Sequence, residues 1–190
     1  MNTLYEKCDS LNSPIECFMD YGSRCSFPIK PHWHYFMEII YIFEGHAEVR
    51  SGSTVISAGR GDMALFHPKA VHSISSDSPD DLRYGVIKLD INCINMTADY
   101  APKFRSIFSF AEQRGMSIYF GNAQTEAIEA SRIFENCIKE MQVRRYGYND
   151  IIRSDISCLL VGVLRLWQES KFTIDCGRRR LRYLQHNRVY

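Results

Sequence analysis

Apolar and polar residues alternate in short runs through the first ninety positions, and then the period changes. From Pro31 to Gly45 the chain reads PHWHYFMEIIYIFEG, with His32, His34, Phe36, Glu38, Ile40 and Ile42 on one parity and Trp33, Tyr35, Ile39, Tyr41 and Phe43 on the other. Side chains of an extended strand leave alternate faces, so this stretch predicts one strand that is apolar on both sides. Such a strand belongs inside a barrel or a sandwich. Ala47 and Val49 alternate with His46, Glu48 and Arg50, Ser51-Gly52-Ser53 is a hairpin turn, Thr54 to Ser57 returns, and Ala58 to Asp62 turns again. Met63 to Phe66, Val71 to Ile74 and Leu82 to Leu89 predict three further strands, the last preceded by the polar loop SSDSPDD. Residues 1–30 read as an arm with one or two short strands. Many short strands at regular spacing predict a barrel or sandwich over residues 1–100.

Beyond residue 100 the spacing becomes helical. Phe104, Ile107, Phe108 and Ala111 follow the i, i+3, i+4, i+7 rule, and Gly115 is a stop. A second helix is predicted from Asn122, with Phe134, Cys137, Ile138 and Met141 as its stripe, broken at Tyr146-Gly147-Tyr148. A third runs from Asn149 or Asp150 to about Ser170, lined by Ile152, Ile156, Leu159, Leu160, Val163 and Trp167. Two long amphipathic helices joined by a short turn form an antiparallel hairpin over residues 101–170. Their stripes cover the barrel or meet a second subunit. Homodimerisation through Ile152, Leu159, Val163 and Trp167 is the expectation, because a stripe left in water marks a partner.

The 190 residues are 45% hydrophobic, enough for a substantial core. The N-terminus lacks a basic segment followed by an apolar run, and no stretch has the length of a membrane span, so a soluble cytoplasmic protein without membrane contact is expected. Seven cysteines without a CxxC pair argue against a disulfide framework and against a structural zinc knuckle. Charge is split along the chain. Six basic residues against Asp175 give residues 171–190 a charge of +5, which leaves the other 170 residues at −4 within a total of +1. An acidic body is a poor match for nucleic acid, and only the tail, read as a basic linker, is basic.

Two imidazoles and a carboxylate on an otherwise apolar face need a metal, a polar ligand or one another as partners. The spacing His32, His34, Glu38, then Gly45 matches the first cupin motif at every position. The second motif can be laid from Gly61 to His72, with His67 and Lys69 standing where it has proline and glycine, and Ser76 where it has asparagine. Lys69 is expected to strain the turn that aims His72, since a bulky residue disfavours positive φ.

In the order of its segments, HWHYFMEIIYIFEGHAEV, GDMALFHPKAVHSI, YGVIKLD and YGYNDIIRSDISCLLVGVLRLW, the chain resembles the N-terminal sensor region of the AraC family of bacterial transcription regulators over roughly residues 30 to 170. That resemblance implies a mainly β fold with C-terminal α structure: a cupin-like β-barrel (double-stranded β-helix), then an antiparallel helical hairpin. It implies a non-catalytic domain that binds a small-molecule effector such as a sugar or small acid, and a homodimer that reaches DNA only through two helix-turn-helix units. The tail RRRLRYLQHN is similar to the approach to the first of those units, so the chain is expected to be a sensor fragment or a natural truncation of a longer regulator.

The implied ligand-binding residues are His32, His34, Phe36, Glu38, His72 and Tyr84. His32, His34, Glu38 and His72 either hold a divalent metal (zinc, nickel, iron or manganese) or line a metal-free pocket, and the family resemblance implies no cofactor. The rival is a small metal-dependent cupin enzyme, an isomerase or dioxygenase, which accounts for the first motif but leaves the helical hairpin without a purpose.

Overall fold

In the computed structural model, which describes residues 4–94 and 103–170, nine strands form two antiparallel sheets. They are β1 (Ile15–Tyr21), β2 (Ile29–His32), β3 (Met37–Glu44), β4 (His46–Ser51), β5 (Thr54–Gly59), β6 (Met63–Phe66), β7 (His72–Ser75), β8 (Arg83–Leu89) and β9 (Tyr119–Phe120). One sheet has the order β1-β8-β3-β6-β9 and the other β2-β7-β4-β5. The even-numbered residues of β3 and β8, Ile40, Ile42, Tyr84 and Val86, meet Val49 and Ile74 of the other sheet in the barrel interior. The odd-numbered residues, Met37, Ile39, Tyr41 and Ile87, face outward into a second core.

The helices supply the other half of that second core. They are α1 (Phe104–Gln113), α2 (Asn122–Ala127), α3 (Ala130–Val143) and α4 (Tyr148–Glu169). Gly85 lets α3 lie close on β8, since a Cβ there would stand 2.8 Å from Phe134 and 2.9 Å from Phe43. Ile152, Leu159 and Val163 are fully buried and Trp167 is 2% exposed, all within this intrachain core. The four residues expected between subunits sit in the protomer's own core, with α4 packed beside α3. Among the described residues no helix is long and apolar enough to cross a membrane. The basic tail from residue 171, and the 100/101 boundary between barrel and helices, lie outside the described residues.

The structure differs from the sequence reading in two further places. The strand expected over Pro31 to Gly45 is interrupted between His32 and Met37, where the chain crosses from the four-stranded to the five-stranded sheet. Pro31, which has no N–H to donate, sits on the edge strand β2 where its pairing with β7 is irregular. The second helix is divided at Glu129, whose φ of 54° ends α2 and redirects the chain into α3. The Asp62 carboxylate explains where α2 must start. It accepts the backbone N–H of Asn122 at 3.0 Å, the N–H of Gly59 at 2.8 Å and the Tyr119 hydroxyl at 3.0 Å, fixing the helix N-terminus to the β5–β6 turn. Thr125 donates to the Gly61 carbonyl at 2.6 Å beside it. Gly61 is at φ +91°, and a Cβ there would meet the Asn122 side chain at 1.9 Å.

Candidate functional site

Four polar side chains converge at one mouth of the barrel, each delivered by a different piece of backbone. His32 ends β2 and is in register with His72 at the start of β7. Glu38 lies near the start of central strand β3, opposite Lys88 of β8 and Phe66 of β6. His34 comes from the crossing segment between the sheets. His34, Glu38 and His72 are 1%, 3% and 2% exposed. Glu38 Oε2 is 3.0 Å from His34 Nε2 and 3.6 Å from His72 Nε2. His32, His34 and Glu38, which share one parity in the sequence, thus converge although they do not share one strand.

Every imidazole is oriented through its other nitrogen. Nδ1 of His32, His34 and His72 lies 2.9, 3.0 and 2.9 Å from the carbonyl oxygens of Lys30, Phe36 and Ala70. A carbonyl only accepts, so each Nδ1 donates a hydrogen; Nε2 of His34 then donates to the Glu38 carboxylate at 3.0 Å while no ion is present, and Nε2 is the atom an ion would take in exchange for that hydrogen. Phe66 stacks on the His72 ring at 4.2 Å and 11°, fixing its plane. The turn before His72 keeps the conformation the glycine position requires, with Lys69 at φ 71°. Its strain is offset by the Lys69 N–H donating to the His34 carbonyl at 2.7 Å and by its ammonium lying 5.4 Å from the Tyr35 ring centroid.

Two charged residues that the sequence reading did not single out complete the cluster. Lys88 Nζ is 3.4 Å from Glu38 Oε2 and 2.8 Å from Glu6 Oε2, and Glu6 Oε2 is 3.4 Å from His32 Nε2 and 3.8 Å from His34 Nε2. Burial would raise the Glu38 carboxyl, but the His34 and His72 imidazoles and the Lys88 charge outweigh it and hold the group well below the usual range. His32, with Lys88 and against partial burial, brings Glu6 down to about 2. Burial opposes the charged forms of His32 and Lys88, yet Glu6 and Glu38 beside them hold both above their ordinary values.

These residues fit a divalent transition metal. Donors ~2.1 Å from an ion are ~3.0 Å apart at right angles and ~3.4 Å apart in a tetrahedron. The four ligand atoms of His32, His34, Glu38 and His72 all lie within 4.8 Å of one another, so small adjustments suffice. His72 Nε2 is buried without a hydrogen-bond partner among the described residues, as a nitrogen kept for an ion would be. Imidazoles fixed through Nδ1–H are the usual companions of such an ion.

The remaining ligand candidates are placed differently. Tyr84 points into the barrel but donates to Asp20 at 3.0 Å, four residues along β8 from Lys88 and apart from the histidines. Phe36 lines a cavity of about 420 Å³ outside the barrel, with Tyr35, His67, Lys69, Asp90 and Arg105. Through the Phe36 carbonyl and the Lys69 amide that cavity is joined to His34. His67, in its wall, is 6% exposed, and burial pushes it down to about 4.

Two facing antiparallel sheets with a histidine and glutamate mouth define a cupin-type barrel carrying C-terminal helices. Residues 17–154 match the AraC-like ligand binding domain, and the chain belongs to that family. Solved structures are similar to part of the chain. An RmlC-like cupin from Shewanella frigidimarina is 17% identical with a TM-score of 0.34, over 40% of this chain and 65% of that one. DMSP lyase DddQ from Ruegeria pomeroyi is 20% identical with a TM-score of 0.34, over 40% of this chain and 39% of that one. An RmlC-like cupin from Methanocaldococcus jannaschii is 13% identical with a TM-score of 0.33, over 40% and 67%. No curated protein matches the chain.

Proposed function

We propose that this chain is the effector-sensing and dimerisation part of an AraC-type transcription regulator. The observation that carries the reading is the buried His32, His34, Glu38 and His72 cluster at the mouth of a barrel that belongs to a ligand-binding family. The barrel senses a small molecule, a sugar or small acid, through those four residues, and a divalent metal at the same residues is compatible with sensing. A ligand shifts an equilibrium only by its differential affinity for two states, so a second arrangement must exist nearby. The arm is the candidate: it is held to the crossing segment by Trp33 N–H to the Leu4 carbonyl at 2.8 Å, Glu6 N–H to the Trp33 carbonyl at 2.9 Å, and the Glu6–Lys88 ion pair. With the inner stripe of α4 committed to the core, the outward faces of α3 and α4 are left to join two copies. DNA contact is the work of other parts of the regulator. Six described cysteines that are all free thiols suit the reducing cytoplasm.

The test is a fusion of the 190-residue chain to a DNA-binding unit that represses a reporter only as a dimer, challenged with sugars and small acids. Repression that responds to one compound, and loses that response in a His34→Ala, Glu38→Ala variant, supports the reading. A fusion that never represses, or a response that the double variant retains, overturns it.

The metal-ready donor set also favours a second reading, a metal-dependent isomerase or dioxygenase. Glu6 stands against it, because a carboxylate 3.4 Å from His32 Nε2 and 3.8 Å from His34 Nε2 competes for the open position a substrate needs on the ion.

A further inference from the structure

We propose that Glu6 is a fifth ligand of the divalent metal this site accepts, and that the Lys88 ammonium holds the metal's electrostatic place until the ion arrives. The inference rests on the reading of His32, His34, Glu38 and His72 as metal donors and adds to it a carboxylate from the arm and a competing cation.

The arm delivers Glu6 by a defined route. Main-chain hydrogen bonds from Trp33 to Leu4 and from Glu6 to Trp33 lay residues 4–6 alongside the crossing segment. Tyr5 turns outward, its ring 4.8 Å from Trp33 and 5.9 Å from Tyr35. Glu6, of opposite parity, therefore turns inward, toward the two histidines that flank Trp33 in the chain. Its Oε2 lies 3.4 Å from His32 Nε2 and 3.8 Å from His34 Nε2. The first is the separation of two donors on one ion and the second lies a few tenths of an ångström beyond it, so with Glu6 drawn in, three imidazoles and two carboxylates make a five-donor set. Such a set suits nickel, iron or manganese better than a four-coordinate structural zinc.

Charge explains the role of Lys88. Glu6 and Glu38 carry two negative charges and Lys88 one positive charge, and the ammonium contacts Oε2 of both carboxylates, at 2.8 and 3.4 Å. A divalent ion placed among the donors balances both carboxylates and needs the same oxygen atoms. The ammonium is then a surplus cation next to a doubly charged one, so binding displaces it. Removing the lysine charge strengthens metal binding, and removing the Glu6 charge weakens it.

The experiment titrates the chelator-stripped 190-residue chain with nickel and with manganese, in competition with a fluorescent chelator. The wild-type chain, Glu6→Gln, Lys88→Met, Tyr5→Ala and Glu38→Gln are compared, and each is checked for thermal unfolding without metal. One ion per chain is expected, with binding lost in Glu38→Gln, at least tenfold weaker in Glu6→Gln and tighter in Lys88→Met. Tyr5→Ala keeps every donor but loosens the arm, so it shows a smaller loss of the same sign. Wild-type affinity in Glu6→Gln alongside lost binding in Glu38→Gln overturns the fifth ligand and leaves the four-residue site standing. Weaker binding in Lys88→Met overturns the competition. A wild-type chain that takes up no ion overturns the metal reading and this inference with it.

Discussion

Replacing Lys88 by methionine removes the cation that faces the buried Glu38 carboxylate and leaves the methylene stem largely in place. At 3.4 Å and an effective dielectric of ~20 the lost attraction is ~5 kcal/mol. Part of this is offset because the variant no longer desolvates an ammonium, and because Glu6, whose side chain is 44% exposed, can turn to water. Glu38 cannot turn away, so a net loss of ~2–4 kcal/mol is expected at pH 7, near the lower part of the range for breaking a buried pair. For a chain of this length that corresponds to a fall in Tm of roughly 4–16 °C. The pH dependence has a definite sign. The Glu38 carboxyl is held below its unfolded value, so its contribution is complete above the ordinary carboxylate range and is lost as pH falls through the folded value. Without Lys88 the folded value rises, and the gap between wild type and variant is widest at neutral pH and narrows below about pH 4.5. Urea unfolding of both proteins at pH 7 and pH 4, with chelator present, measures it. A gap under about 1 kcal/mol at pH 7, or one of equal size at pH 4, refutes the electrostatic reasoning.

Three other outcomes follow from the structure. Asp62→Ala deletes the acceptor of three hydrogen bonds and should cost ~2–4 kcal/mol in urea unfolding, with α2 losing protection in hydrogen exchange. Trp167→Ala should cost ~3–5 kcal/mol and give a destabilised protein rather than a well-folded monomer, read by urea unfolding and size-exclusion chromatography, because Trp167 packs on Phe108 and donates to the Ser117 carbonyl. Burial holds His67 neutral down to about pH 4, so wild-type stability is full above the ordinary histidine value of about 6.5 and declines toward pH 4 by ~3 kcal/mol; His67→Gln should flatten that slope.

Alternation within β3 sorted Glu38, Ile40 and Ile42 inward and Ile39, Tyr41 and Phe43 outward, and the structure agrees residue by residue. Alternation also hid the crossing between sheets, because His32 and His34 keep the same parity on either side of Trp33 while the backbone leaves one sheet for the other. Lys88 was legible: it shares parity with Tyr84 and Val86 on a strand whose inner face is otherwise apolar. Glu6 was not, since its place depends on main-chain pairing with residues some thirty positions away and on ring contacts of Tyr5. The stripe of Ile152, Leu159, Val163 and Trp167 shows that something apolar covers α4, but periodicity does not say whether the cover is the same chain. Glu129 carries no breaker signal, and its positive φ is imposed by α2 being fixed to Asp62 while α3 lies on β1 and β8.

His32 and His72 belong to one sheet and Glu38 and Lys88 to the other. Whatever sits among them therefore sets the gap between the two walls of the barrel at that rim, in the way a spacer fixes the width of a slot. The strands that carry Glu38 and Lys88 bear Ile39 and Ile87 on their reverse sides, against the helices. The sheet that carries Glu38 and Lys88 is also the floor on which α3 rests, so the width of the slot and the seating of that helix depend on the same strands.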